Sequence, residues 1–339
     1  MPISNSIQDI YSAEPAFPIL AHSLLHEPDN GNVIPNDSVP DNSDRNDWNL
    51  KEHWDKGIQN SQSSIFRCGT VIGFSRLRSR VKDNDDYIAQ VPRHLLTKSL
   101  VQSSSHMGPK AFIIFPSGFE AFAPRTLLDA LQSSSIETNL TREEAIKRLD
   151  NVQLLPVHNF RHAAQAIGKV SESLEQIGNA RQLETNASTF EPVFLIVVGL
   201  DTLAEGIIRA SNPVRGTALL AATLRNLNRM SRSYASYLST FLVNTNGLGP
   251  ATFEQPHQQG PNSTSNQDKN PRSSWDDGIH SVFQTPGSSL LPTLLMKTLD
   301  QGIDTHILLS DVNMVQVAEV IKCRLGSGLG KWGSWTPST

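Results

Sequence analysis

The residues best placed for phosphate chemistry follow the first strongly apolar strand of the sequence. Gly73 ends the run TVIG, and residues 74–86 continue as FSRLRSRVKDNDD. A phosphate-binding loop reads G-x-x-x-x-G-K-[ST], because backbone amides cradle the phosphates, the lysine reaches the terminal ones and the hydroxyl holds magnesium. The segment after Gly73 has neither the second glycine nor the Lys-Ser/Thr pair. It therefore predicts no working phosphate loop.

Two other Gly-Lys pairs do not supply the missing loop. Gly168-Lys169 is followed by valine inside a helical pattern, and Gly330-Lys331 is followed by tryptophan with no room for a helix. The glycine-rich residues 326–330 are typical of a turn between two terminal strands.

Metal-ligand spacing is also missing from the sequence. His158 and His162 are four residues apart but do not belong to an H-E-x-x-H motif. The two cysteines, Cys68 and Cys323, are too far apart in sequence to form a C-x-x-C pair. No metal site is predicted.

The elements that must position these residues alternate between apolar runs and helical patterns. The runs that predict buried strands are 66–74, 110–115, 152–155, 194–198 and 241–243. Helical patterns occupy residues 91–102, 127–131, 142–149, 161–177 and 217–237, of which the last predicts the longest helix. Residues 290–299, 305–310, 315–324 and 331–336 are predicted to be mainly strands. The alternation favours an α/β fold with a mostly parallel sheet and helices on both faces.

Charge and composition divide the chain into two parts. The formal net charge is −4, but the first 60 residues carry ten acidic and three basic side chains, which leaves +3 for the rest. Residues 28–63 are rich in Asn, Asp, Pro and Ser, so they bury too little apolar surface to offset their ordering entropy. We expect a mostly disordered acidic segment over residues 1–63, and one domain over 64–339 with a long flexible loop at 247–289.

The apolar runs are too short for a membrane span. The run at 194–198 falls far below the roughly 18–20 residues that a spanning helix requires. The first basic residue is Arg45, so the amino terminus lacks the pattern of a signal or transit peptide. The expected compartment is the nucleus, with the cytoplasm as the alternative.

Six segments resemble, in order and spacing, the ATPase core of the RecA-like recombinases, especially the eukaryotic strand-exchange recombinase and its paralogues. In that family they are the P-loop unit, the strand before a catalytic glutamate, the Walker B strand, an Arg-Gly loop, a long helix and a strand ending in Thr-Asn-Gln. Here they are residues 70–100, 110–122, 194–203, 213–216, 218–233 and 241–248. The match covers residues 65–320 and implies a three-layer RecA-like P-loop NTPase fold.

The resemblance also implies which positions would bind nucleotide. Gly73 stands where the phosphate loop would begin, and the family's catalytic glutamate aligns with Ser117, whose hydroxyl cannot act as that base. The Walker B aspartate aligns with Val198, and Asp201 lies three residues later.

The phosphate-sensing glutamine is changed as well. It aligns with Gly247, after a retained Thr245-Asn246. Phosphoryl transfer needs the phosphate cradle, the metal and the oriented water together. The resemblance therefore implies degenerate Walker A and B motifs and a protein that is not an active ATPase, with ATP and magnesium disfavoured as cofactors.

In the resembled family, two loops hold DNA, one after the Walker B strand and one after the sensor strand. They correspond here to residues 209–216 and 247–289. The candidate DNA contacts that these loops contain are Arg209, Arg215, Lys269, Arg272 and Trp275. Two aspartates follow Trp275 directly, so a solvated loop is the alternative interpretation of the second segment.

The leading functional hypothesis is a non-catalytic RecA-like accessory or assembly subunit in homologous recombination and DNA repair. Its partners would be another RecA-fold protein and single-stranded DNA. Two alternatives stay open: a RecA-like scaffold subunit of the Elongator type in transfer-RNA modification, and a divergent DNA-dependent ATPase that uses an unusual phosphate loop.

Overall fold

Eight strands form one mixed sheet in the computed structural model of the chain. The structure describes residues 49–61, 63–78, 85–103, 109–134, 140–183, 191–249, 279–283, 290–312, 315–324, 326 and 328–335. The strands are β1 Val71–Arg76, β2 Ala111–Pro116, β3 Val152–Val157, β4 Val193–Val198, β5 Leu238–Val243, β6 Thr305–Val312, β7 Val315–Cys323 and β8 Trp332–Trp335. Their order is β3-β2-β4-β5-β1-β6-β7-β8. Strand β7 is antiparallel to β6 and β8, and the other neighbouring strands are parallel, which confirms the predicted α/β class.

Helices cover both faces of this sheet. They are α1 Leu50–Lys56, α2 Asp85–Gln102, α3 Pro124–Ser134, α4 Arg142–Leu149, α5 Phe160–Leu183, α6 Leu200–Ala210, α7 Pro213–Ser233 and α8 Leu294–Gln301. One buried cluster joins α1–α4 to one face, and a second joins α5–α8 to the other. Within the described ranges, no helix has the length and apolar character to cross a membrane.

The central strands form the core because both of their faces are covered. All six residues of β4 and of β5 are buried. Three phenyl rings on adjacent strands meet edge to face, with Phe241 lying 5.4 Å from Phe74 and 5.5 Å from Phe194 between ring centroids. Burial of each ring contributes about 1.5–3 kcal/mol, so this row fixes β1, β5 and β4 side by side.

Helix α4 forms as its local sequence predicts. The Thr141 side chain accepts from the backbone N–H of Glu144, and the Glu144 carboxylate accepts from the backbone N–H of Thr141. This reciprocal capping box satisfies two amides that the first helical turn leaves unpaired. The predicted bounds, 142–149, are confirmed.

Three predicted helix assignments are wrong. Helix α2 begins at Asp85 and contains Pro92, whereas the prediction places Pro92 at a helix start, the position where proline's missing N–H costs least. The longest helix is α5, with 24 residues against 21 in α7. Helix α8 lies where residues 290–299 were predicted to be a strand. A short apolar run such as LLMKTL fits the helical period and the strand period equally well, so the pattern could not decide between them.

A helix, α1, lies before the predicted domain boundary at residue 64. Helix α1 is capped by the Asn49 side chain, and its Leu50 and Trp54 are buried in the core. Asn49 also forms a β-bridge with Trp332. Two apolar residues four apart are too weak a pattern to predict this helix, which is stabilised by its contact with β8. Residues 1–48 of the predicted disordered segment lie outside the described residues.

Candidate functional site

The carboxyl ends of β2, β4, β5 and β1 lie side by side at one edge of the sheet. Open α/β sheets bind ligands at this edge, outside the ends of their parallel strands. The topology brings together three of the predicted nucleotide positions, Ser117, Asp201 and Asn246, which follow β2, β4 and β5.

Gly73 does not lie at this edge. It is the third residue of β1, and the strand continues to Arg76. A Cβ atom at Gly73 would lie 2.4 Å from Cδ1 of Ile303, so this glycine lets the segment after α8 pack closely on the strand. The position where the resemblance would start a phosphate loop therefore lies inside a strand.

The chain beyond β1 stays extended and pairs with the chain beyond β5. Leu77 forms a parallel β-bridge with Leu248. The amide of Leu248 donates to the carbonyl of Arg76 at 2.8 Å, and the amide of Arg78 donates to the carbonyl of Leu248 at 2.8 Å. A phosphate loop that began at this point would have to curl back, whereas residues 77 and 78 stay extended.

Helix α2 follows β1 in sequence and starts with two acidic residues, Asp85 and Asp86. Acidic side chains are favourable at a helix amino terminus, where the helix dipole is positive, but they repel a bound phosphate. The Asp86 carboxylate forms an ion pair with Arg93, which lies seven residues further along the same helix. The carboxylate of Asp86 is therefore engaged within the protein.

Ser117 joins the ends of β2 and β3. Its hydroxyl oxygen lies 2.6 Å from Nδ1 of His158 and 3.2 Å from the carbonyl oxygen of Val157, to which it can donate. Both Ser117 and His158 are exposed. The pair ties two strand ends together and offers no carboxylate to orient a water molecule.

Val198 and Asp201 are both buried at the end of β4. The Val198 side chain is part of the core. Asp201, in the first turn of α6, accepts from the amide of Thr245 at 3.1 Å and from the amide of Asn246 at 2.5 Å. Burial raises the pKa of Asp201, although these hydrogen bonds lower it in part. Asp201 thus ties α6 to the end of β5, and its oxygens face backbone amides.

Asn246 links the same strand end to the first candidate DNA-binding residue. Its Nδ2 donates to Glu205 at 3.1 Å, and Glu205 forms an ion pair with Arg209 at 2.6 Å. The Arg209 side chain is 76% exposed, so it can leave this pair for another anion.

The segment predicted as the first DNA-binding loop, residues 209–216, is mostly helical. Arg209 lies in the last turn of α6, and Arg215 lies in the first turn of α7, where the Asn212 side chain caps its backbone N–H at 2.8 Å. Two residues connect these helices. The prediction of a loop is wrong, but both arginines lie at the tip of one exposed helical hairpin.

The second predicted loop is described only at its two ends. Lys269, Arg272 and Trp275 lie outside the described residues. At the base, the Gly249 amide donates to the carbonyl of Leu290 at 2.9 Å.

Glu319, on β7, holds the far side of that base. It accepts from the Ser281 hydroxyl at 2.6 Å and from the Val282 amide at 2.8 Å. Burial raises the pKa of Glu319, while these two donors lower it in part. The loop ends are therefore fixed to β1 and β7 by hydrogen bonds.

A cleft of about 610 Å³ lies over α2, between α1 and α3. Its walls carry carboxylates from Asp55 and Asp129 and the imidazole of His94, whose pKa is lowered by desolvation and by the nearby charge of Lys98. None of the described residues predicted for nucleotide or DNA contact lines it.

Metal ligands do not gather in the described part of the chain. No group of three or more His, Cys, Asp or Glu side chains could hold an ion there.

Sequence reasoning missed a buried polar chain beneath α8. Ser75 on β1 contacts His306 on β6 at 2.8 Å, although the two are 231 positions apart. A serine and a histidine inside otherwise apolar strands are the signal that could have marked them.

Comparison with known protein families gives no match to this sequence, and comparison with curated proteins gives none either. The arrangement of strands, edges and side chains is therefore the basis of the functional proposal.

Proposed function

We propose that this chain is a non-catalytic RecA-like accessory subunit that assembles with another RecA-fold protein in homologous recombination and DNA repair. One observation carries the proposal. The segments that resemble the family's catalytic parts fold as adjacent strands β2, β4, β5 and β1, yet residues 77 and 78, where a phosphate loop would begin, are extended and pair with Leu248.

The remaining catalytic positions support the same conclusion. Ser117 is bound to His158, Val198 is a core residue and Asp201 is engaged with the amides beyond β5. Phosphoryl transfer depends on positioning and on charge stabilisation by several groups at once. These groups hold the carboxyl ends of the strands together. This end of the sheet therefore fits a structural role and contact with a partner better than it fits hydrolysis.

Strand β3 offers a surface for the partner. It pairs with β2 on one side, and no described strand lies on its other side. The carbonyl of Val157 accepts from Ser117, so it points toward β2. Because main-chain groups alternate along a strand, the N–H and C=O of Leu154 point outward. A strand from a RecA-fold partner can pair there by edge addition.

Pro156 shapes this edge. Its main chain faces outward, as that of Leu154 does two residues earlier, but proline has no N–H to donate. A proline at a sheet edge limits indiscriminate pairing, so the outward N–H of Leu154 matters more to a specific partner.

Single-stranded DNA is the second proposed partner. The exposed arginines Arg209 and Arg215 lie at the tip of the α6–α7 hairpin and can neutralise backbone phosphates. The candidate residues between 250 and 278 would add contacts to the same strand of DNA.

Affinity purification of the full chain from its native cell tests the proposal. We expect RecA-fold proteins to co-purify with wild type and with Leu154→Ala, and to be lost with Leu154→Pro. The two variants remove the same side chain, but only proline removes the outward N–H. Recovery of transfer-RNA modification subunits instead would favour the Elongator-type alternative.

Nucleotide assays provide the opposing test. We expect no magnesium-dependent binding of fluorescent ATP and no hydrolysis by the purified chain. Hydrolysis that a substitution within residues 69–86 abolishes would overturn the proposal and favour the divergent ATPase.

A further inference from the structure

Helices α5 and α7 pack on the same face of the sheet and run in the same direction. Their buried side chains belong to one hydrophobic cluster, and each helix leads into one of two adjacent parallel strands, β4 and β5. The Tyr237 hydroxyl, just beyond α7, donates to the carbonyl of Leu174 on α5 at 2.9 Å. A Cβ atom added at Gly178 of α5 would lie 3.9 Å from Cε1 of Tyr234, the residue that caps the carboxyl end of α7. The carboxyl ends of the two helices are therefore nearly level.

The exposed faces of these helices carry opposite charges. The face of α7 presents Arg225 and Arg229, and α7 contains no acidic residue. The face of α5 presents Glu172 and Glu175. Among the described residues, none of these four side chains has an ion-pair partner. The two faces are thus complementary in charge, yet their charges are not paired within the chain.

The two faces also share a spacing. Toward the amino end, the exposed face of α7 continues through Ala222 and Ala218, and the outward face of α5 continues through Gly168 and Ala164. One parallel alignment sets Ala222 opposite Gly168 and Ala218 opposite Ala164. Side chains of this size let two helices approach to about 8 Å between axes.

The same alignment also pairs the charges. It sets Arg229 opposite Glu175, and it sets Arg225 within one position of Glu172. Because residues three or four apart share one face of a helix, these positions all lie along the same contact. The match of size and charge therefore extends over about three helical turns.

Gly168 has no explanation within one copy of the chain. It lies inside α5, where glycine is less stable than alanine. Its φ is not positive, and a Cβ atom added to it would meet nothing within 4 Å. Packing among the described residues therefore does not require glycine here, whereas close approach of a second helix would.

A second copy of the chain can pair these faces, which lie side by side in one copy. A twofold axis parallel to both helices sets α5 of each copy against α7 of the other, so the contact occurs twice. Such an axis keeps every residue at its own level along the helices. Within one chain, Tyr234 is level with Gly178, and this level differs by two positions from the pairing of Arg229 with Glu175.

We propose that two copies of this chain form a symmetric dimer through the faces of α5 and α7. At the amino end of the contact Arg161 lies opposite Arg215, and both long side chains can turn to solvent. The outward N–H of Leu154 on β3 takes no part in the contact. The dimer therefore goes beyond the proposed function and does not depend on it.

Sedimentation of the nuclease-treated full chain over a concentration series tests the dimer. We expect wild type to reach the mass of two chains and no more, because a twofold contact closes on itself. Gly168→Met places a long side chain in space that is open in one copy, so the variant should fold, as circular dichroism would show, and stay a monomer. Leu154→Pro should still dimerise. A monomeric wild type at about 100 μM, or a dimer that Gly168→Met leaves intact, would overturn the proposal.

Charge reversal gives a second test that does not depend on Gly168. Arg229→Glu and Glu175→Arg should each weaken the dimer about tenfold or more, because each places like charges opposite each other twice. An equal mixture of the two variants should dimerise as wild type does, since both contacts then pair opposite charges. Lys147→Glu, on the exposed face of α4 across the sheet, is the matched control and should not change the dimer. A mixture no stronger than either variant alone would contradict the contact between α5 and α7.

Discussion

The backbone amide of Arg78 donates to the carbonyl of Leu248 at 2.8 Å, so the chains leaving β1 and β5 continue side by side beyond the sheet. In a phosphate-binding loop, the chain that leaves the strand would instead turn around the phosphate. Here it is a short extension of the sheet. The same contact fixes the start of the predicted loop at residues 247–289.

Substitution of Gly247 by alanine should weaken this contact. A Cβ atom there would lie 2.7 Å from the Arg78 Cα and 2.9 Å from its nitrogen, and backbone atoms cannot move aside cheaply. We expect Gly247→Ala to lower the free energy of unfolding by about 1–3 kcal/mol, measured by urea denaturation.

Gly206→Ala is the matched control for this prediction. Gly206 lies in α6, and a Cβ atom added to it would meet nothing within 4 Å. Alanine should therefore raise stability by about 0.5–1 kcal/mol through its better helix propensity. Equal effects of the two substitutions would show that the Arg78–Leu248 pairing does not depend on Gly247.

The elements that local sequence decides could be predicted, and those decided by distant contacts could not. Thr141 and Glu144 are three residues apart, so the start of α4 can be read directly from the chain. Helix α1 depends on β8, whose Trp332 is more than 280 positions away. Its two buried side chains, Leu50 and Trp54, form too short a pattern to predict a helix from the sequence alone.

We expect substitution of Asp304, which lies at the amino end of β1, to lower the free energy of unfolding. It accepts from the Val71 amide at 2.9 Å and from Arg232 at 2.8 Å, and its side chain is 3% exposed. We expect Asp304→Ala to cost about 1–3 kcal/mol because it leaves a buried N–H unpaired. Asp304→Asn keeps an acceptor for Val71 and should cost less; an equal loss would mean that the ion pair with Arg232 dominates.

Glu319 should give the protein a pH-dependent stability. A carboxyl whose pKa is raised on folding binds its proton more tightly in the folded state, so this part of the free energy of unfolding falls as pH rises from 4.5 through the raised value. Glu319→Gln should remove that decline. Urea denaturation across this pH range measures the difference between variant and wild type.

Ser281→Ala provides the control for Glu319. It removes one of the two donors that lower the pKa of Glu319, so the decline should extend to higher pH than in wild type. A difference between Glu319→Gln and wild type that stays constant with pH would contradict the prediction.

Cys68 should resist alkylation in the folded protein. It is buried, and burial raises the pKa of its thiol to about 12, whereas Cys323 is partly exposed. The reactive species is the thiolate, so iodoacetamide should modify Cys323 first and Cys68 only with global unfolding. Mass spectrometry of peptides containing each cysteine measures both rates; early modification of Cys68 would show that its surroundings open locally.

The candidate site could be located from sequence only as a set of strand ends. The alternation of strands and helices predicts that β2, β4 and β5 are parallel, so Ser117, Asp201 and Asn246, which follow them, could be expected at the same end of the sheet, but the order of the strands was not predicted. Their partners could not be expected. His158 is 41 positions from Ser117, and Thr245 is 44 from Asp201, so these contacts depend on packing that no local pattern records.

The arginines of the α6–α7 hairpin should contribute to binding of single-stranded DNA. Each phosphate contact on a single strand changes the slope of log affinity against log salt by about 0.7, so Arg209→Ala and Arg215→Ala should each reduce the slope by that amount. Fluorescence anisotropy with a labelled oligonucleotide, measured over a salt series on the full chain, gives the slope. Arg225→Ala, an exposed arginine further along α7, is the matched control and should leave it unchanged.

Glu205 distinguishes specific contact from general charge attraction. Glu205 holds Arg209 in a 2.6 Å ion pair, so Glu205→Gln should release Arg209 for DNA and strengthen binding in the otherwise wild-type chain. In the Arg209→Ala background the same substitution should have a smaller effect, because the competition is gone. Equal strengthening in both backgrounds, or a loss in Arg225→Ala as large as in Arg209→Ala, would place the DNA elsewhere on the protein.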